Sequence, residues 1–174
     1  MKKLLAGILA VLILLMPMAF AVVEKTTTAV AWNIATVVGF ELTLLGESAV
    51  ASTIGGAPTT GIEFNSSTGN DAGVEAKVVG GATQNSTSPI FAYENVGTVN
   101  LNLTVLLDSD PSVCITLNGG TTHPPATPIS TSNVTVSTNL VPTGTVNWYM
   151  QSDFTACVDS DDSTATLTSY GNNS

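Results

Sequence analysis

The chain has 174 residues, of which 10% are charged, and 13 acidic side chains stand against four basic ones for a formal charge of −9. All four basic residues are lysines, too few to displace counterions from a phosphate backbone, which excludes nucleic acid as a partner and disfavours anionic lipid surfaces. The length suits one domain with short appendages.

Lys2 and Lys3 precede an apolar run from Leu4 to Met16 and a small-x-small site at Ala19-Phe20-Ala21. This order predicts a secretory signal helix over residues 1–21, cut after Ala21. The competing reading is a retained anchor, because the apolar stretch has the length to cross a bilayer. Cleavage would remove two of the four lysines and leave two basic against 13 acidic side chains, a charge of −11. The expected product is extracellular or cell-surface, with no stable membrane span.

Residues 22–31 follow as an extended, β-branched stretch with little charge. Val22, Val23, Thr26, Thr28 and Val30 mark it as a candidate donor strand; the alternative is a first strand of its own domain or a leader. Residues 32–174 read as a single β-sandwich domain. Thr28, Val30, Trp32 and Ile34 alternate, as do Val38, Phe40, Leu42 and Leu44; Ile62 and Phe64 form a short piece. Val74, Ala76 and Val78 alternate around Glu75 and Lys77.

The clearest strand is Thr98–Leu107, where Val99, Leu101, Leu103, Val105 and Leu107 point one way. Turn residues Asn95-Val96-Gly97 precede it and an extended run, Ile90–Glu94, lies before them. Together they predict a hairpin with one apolar face. Farther on, Val134 and Val136 alternate, then Val146, Trp148 and Met150 against Asn147, Tyr149 and Gln151, and finally Ala165 and Leu167. Glycine, proline and aspartate clusters separate these runs, and Gly119–Pro128 reads as a long loop. No window after the signal carries a helical stripe. The fold class is therefore all-β: an antiparallel sandwich, jelly-roll or Ig-like, of about eight to eleven short strands behind the signal helix. Trp32 and Trp148 share parity with apolar neighbours and read as core.

Cys114 and Cys157 fit one disulfide in an exported chain. Val113, Ile115 and Leu117 share one parity and Phe154, Ala156 and Val158 share another, which puts both sulfurs off the core-facing side as an edge staple. Such a loop would stabilise by roughly 3–4 kcal/mol in the chain-entropy model.

No motif dictates a reaction, and the chain does not read as an enzyme. His123, the only histidine, lies in Thr-Thr-His-Pro-Pro and reads as an exposed loop residue; no nucleophile elbow or zinc-protease motif accompanies it. Asp159, Asp161 and Asp162 form a candidate calcium site, weighed against plain solvated acids, and calcium is the one cofactor the sequence raises. Asp108 and Asp110 form a second acidic cluster. Glu41, Glu63, Glu75 and Glu94 sit on strands and read as outward residues. N-x-S/T sequons at Asn65, Asn85, Asn102, Asn133 and Asn172 are candidate N-glycosylation sites.

A resemblance rests on Ile62-Glu63-Phe64-Asn65, Gln84–Phe91, Glu94-Asn95-Val96-Gly97-Thr98, and Leu140–Gly144 ahead of Trp148 and Asp153-Phe154. These stretches look like exported β-sandwich surface proteins of archaea and, more broadly, resemble TasA/camelysin-like filament subunits. The resemblance implies self-association into an open polymer by lending an N-terminal strand to a neighbour. It does not carry the protease label given to camelysin relatives, because no metal-binding motif is present. The expected function is a structural subunit of a cell-surface filament or surface layer. The alternative is a monomeric surface binding module, an adhesin dependent on carbohydrate or calcium.

Overall fold

The computed structural model describes residues 39–47, 50–51, 61–66, 71–157 and 165–174. The signal helix, the candidate donor strand from Val22 to Val30, Trp32, and Asp159, Asp161 and Asp162 lie outside the described residues. What is described is all-β, and every strand pairing is antiparallel. No helix among the described residues is long and apolar enough to cross a membrane.

The strands in chain order are β1 (Phe40–Leu44), β2 (Val50–Ala51), β3 (Ile62–Glu63), β4 (Val74–Glu75), β5 (Lys77–Val78), β6 (Phe91–Asn95), β7 (Leu101–Leu107), β8 (Thr116–Gly120), β9 (Thr127–Pro128), β10 (Val134–Leu140), β11 (Thr145–Asp153) and β12 (Leu167–Asn173). A seven-stranded sheet runs β2-β1-β6-β11-β8-β9, with β4 also paired to β11. A three-stranded sheet runs β10-β7-β12, and β3 pairs with β5.

Period-two patterning explains which faces turn inward. In β7, Leu101, Leu103, Val105 and Leu107 are buried, while Asn102, Thr104 and Leu106 are half-buried on the other face. In β6, Phe91, Tyr93 and Asn95 are buried. Side chains from the two larger sheets meet in one hydrophobic core, with Phe40, Leu44, Phe91, Tyr93, Trp148 and Met150 from one sheet and Leu101, Leu103, Val105, Leu107 and Val136 from the other. The Phe40 and Tyr93 rings lie 5.9 Å apart. β12 makes room for them, because its core-facing positions are Ser169 and Gly171, opposite Val105 and Leu103. A Cβ on Gly171 would stand 2.9 Å from the Phe40 ring.

β6 and β7 do not form the expected hairpin. β6 pairs with β1 and β11, whereas β7 pairs with β10 and β12, so residues 96–100 carry the chain from one sheet to the other. Two strands with strongly apolar inner faces can bury them by facing each other across a core as well as by lying side by side. The fully buried Asn95 secures the crossing. Its Nδ2 donates to Val99 O at 2.9 Å and to Leu140 O at 2.7 Å, and its Oδ1 accepts from Gly97 N at 2.9 Å.

Three further expectations are corrected. Gly119–Pro128 is not one long loop: β8 runs through Gly120, and Asn118 and Gly119 pair with Pro128 and Thr127 of β9. The glycines that suggest a turn serve a packing need, because a Cβ on Gly119 would meet Trp148 and Ile129 at 2.5 Å. Second, Val113 does not share a core-facing parity with Leu117. Ser112 to Ile115 is a turn closed by Ile115 N donating to Ser112 O, and Val113 is fully exposed. Third, Tyr149 is buried despite its outward parity.

Candidate functional site

The outer face of the seven-stranded sheet carries a polar cluster where β4 lies along β11. Register sets Glu75 opposite Gln151. Gln151 Nε2 donates to Glu75 Oε1, Gln84 Nε2 donates to Glu75 Oε2, and His123 Nε2 lies 2.8 Å from Glu75 Oε1. His123 is therefore no exposed loop residue. Its side chain retains 20% of its exposure and that of Glu75 28%. The imidazole also packs on Tyr149 in a T-shaped contact, with ring centroids 5.6 Å apart. The turn that follows Gln84 covers Tyr149, whose hydroxyl donates to Ser86 O at 3.4 Å.

Gln84 shows how the cluster is tied to the sheet. Its Oε1 accepts from Met150 N at 3.0 Å and its Nε2 also donates to Met150 O at 2.6 Å. β6 leaves β11 at Trp148 and β4 joins it at Gln151, and in the gap the buried primary amide takes Met150 N and shares Met150 O with Ala76 N. Partial burial by itself would push the Glu75 carboxyl up, but hydrogen bonds from Gln84, His123 and Gln151 outweigh it and hold the group below its ordinary value. The cluster thus clamps the β8–β9 connection and the segment after β5 onto one strand. Glu75 and His123 are 48 residues apart, and no local pattern announces their meeting.

The remaining candidates are dispersed. Glu63 pairs with Lys77 at 3.0 Å, and Glu41 stands opposite Glu94 in the β1–β6 ladder. Asp108 Oδ1 accepts from Thr166 N at 2.7 Å, which holds its carboxyl below the usual value, and Asp110 Oδ1 accepts from Thr131 N at 2.9 Å. These acids brace loops. Among the described residues no group of three or more His, Cys, Asp or Glu side chains is placed to hold a metal.

Cys114 and Cys157 form the expected disulfide, with Cα atoms 4.9 Å apart. It joins the turn before β8 to the turn after β11, just past the ladder's last pair, Thr116 and Asp153. Neither cysteine belongs to the core cluster, although Cys157 is buried. The sequons divide by setting. Asn65, Asn85, Asn133 and Asn172 are exposed, whereas Asn102 is half-buried in the central strand β7.

Comparisons with protein-family models, with curated proteins and with solved structures give no match. What the residues define is thus a class: an all-β antiparallel chain, closed by one disulfide, with a clamped polar cluster on one sheet.

Proposed function

We propose that this chain is an extracellular structural protein, a subunit of a cell-surface filament or surface layer built on a sandwich of jelly-roll or Ig-like type. The observation that carries this reading is the three-stranded sheet. Among the described residues, β10 and β12 are each seven residues long and each pair on one side only, with β7. Such edges present backbone N–H and C=O groups to an incoming strand. Residues 22–31, extended in pattern and with Glu24 and Lys25 cancelling to no net charge, are the natural donor. A head-to-tail contact of this kind repeats without closing and gives an open fibre. The paired cysteines and the signal pattern support export.

The test is negative-stain microscopy of the exported protein. Filaments that disappear when residues 22–31 are deleted support strand donation, and dispersed particles from the intact mature chain at high concentration overturn it. A second reading, a surface binding module, draws on the Glu75–His123–Gln84–Gln151 cluster. Its amides, carboxylate and neighbouring aromatic ring are the groups a sugar would use.

A further inference from the structure

We propose that Asn85 is the preferred site of N-linked sugar attachment on this chain, selected from the five sequons by the local fold. Asn85, Ser86 and Thr87 are exposed at the tip of a tight turn. Reciprocal backbone bonds between Asn85 and Ser88, at 3.0 and 3.1 Å, close the turn. Asn85 Oδ1 accepts from Thr87 N at 2.9 Å, from Thr87 Oγ1 at 2.8 Å and from Ser88 N at 3.1 Å. Three donors converging on one oxygen fix the sense of the amide, because the reverse orientation would set an NH2 group against two backbone N–H groups. Oδ1 is thereby held in the turn, and Nδ2, the atom that takes the sugar, lies on the other side of the amide carbon. The tip is held to the sheet on which it sits by the Tyr149 hydroxyl on Ser86 O and by the Gln84 side chain on Met150.

The acceptor pattern demands a hydroxyl two residues after the asparagine, so a transferase reads the amide and that hydroxyl together. In an extended strand, residues i and i+2 stand about 6.6 Å apart. At Asn85 the two groups already touch. At the other sequons the described groups are engaged elsewhere or lie in or beside a strand. Asn65 shares a hydrogen bond with the Glu63 carboxylate. Asn102 is half-buried between β10 and β12, and its Oδ1 takes Asn139 N at 2.8 Å. Asn133 immediately precedes β10, and its Thr135 is paired within that strand, opposite Thr104. Asn172 lies in β12, and the Ser174 hydroxyl donates instead to Asn139 Oδ1 at 3.1 Å.

The co-reactant is a lipid-phosphate-linked oligosaccharide brought by the cell's transferase. Nδ2 attacks the anomeric carbon, an N–C bond forms, and the C–O bond to phosphate breaks with its electron pair leaving on the phosphate. One amide proton passes to a base of the transferase. The proposal needs export but not polymerisation.

The experiment is intact-glycopeptide mass spectrometry on protein recovered from the envelope or medium of the cells that make it. Cleavage after Glu75 and Glu94 isolates peptide 76–94, which holds this sequon and no other. The expected result is a sugar increment on Asn85 at higher occupancy than on Asn65, Asn102, Asn133 or Asn172. Asn85→Gln and Thr87→Ala should abolish it, and Thr87→Ser should retain it. Because the tip is exposed, disulfide formation in each variant serves as the check on folding. Exported protein whose Asn85 peptide is unmodified, or in which any of the other four sequons is filled to an equal or greater extent, overturns the proposal.

Discussion

The hydroxyls of Tyr93 and Ser169 lie 3.0 Å apart across the core, one on β6 of the seven-stranded sheet and the other on β12 of the three-stranded sheet. Tyr93 is fully buried, and burial pushes its phenol up to about 12, with the Ser169 hydrogen bond opposing in part. The phenol in the unfolded chain titrates near 10. Folding therefore draws full benefit from the neutral phenol below about pH 10, and that benefit is lost as pH rises from there through the folded value. Denaturant melts between pH 8 and 12 should show this alkaline loss. Tyr93→Phe should cost about 1 kcal/mol at neutral pH and flatten the alkaline limb.

Asn95 satisfies three backbone groups at the crossing between the sheets. Asn95→Ala would strand the Val99 and Leu140 carbonyls and the Gly97 N–H. The expected loss is about 3 kcal/mol, read from urea unfolding, and exceeds that of alanine at exposed Asn133 by at least about 2 kcal/mol.

At acid pH the informative group is Glu75. Its carboxyl is held below its ordinary value, so its contribution is present above about pH 4.3 and disappears as pH falls through the folded value. Glu63, Asp108 and Asp153 shift in the same direction, so the wild type alone cannot isolate Glu75. Glu75→Gln should reduce the acid-limb slope relative to wild type. His123→Ala should raise hydrogen exchange in residues 121–126 while leaving β7 protected.

The inward faces were legible because a strand repeats every two residues. Leu101, Leu103, Val105 and Leu107, and likewise Trp148 and Met150, are buried as their alternation requires. Pairing partners were not legible, since alternation says which side is buried and not what lies beside it; the β6–β7 crossing uses the same Asn-x-Gly chemistry as a hairpin turn. β12 was largely missed because its inner positions, Ser169 and Gly171, carry no apolar signal. Ser169 offers a hydroxyl to Tyr93 and Gly171 leaves room for Phe40, both of which belong to another sheet. The Glu75–His123 contact escaped for a related reason: it depends on β4 and the β8–β9 connection converging on β11. The disulfide could be read because the chain has only two cysteines.

Strand donation by residues 22–31 is tested most directly by sedimentation. A chain beginning at Val22 is compared with one beginning at Trp32, each with its disulfide intact, across a range of concentrations. The longer chain should sediment as an open series of polymers. The shorter should run as a monomer that binds a synthetic 22–31 peptide one to one. A longer chain that stays monomeric at every concentration, while the shorter ignores the peptide, would contradict the account.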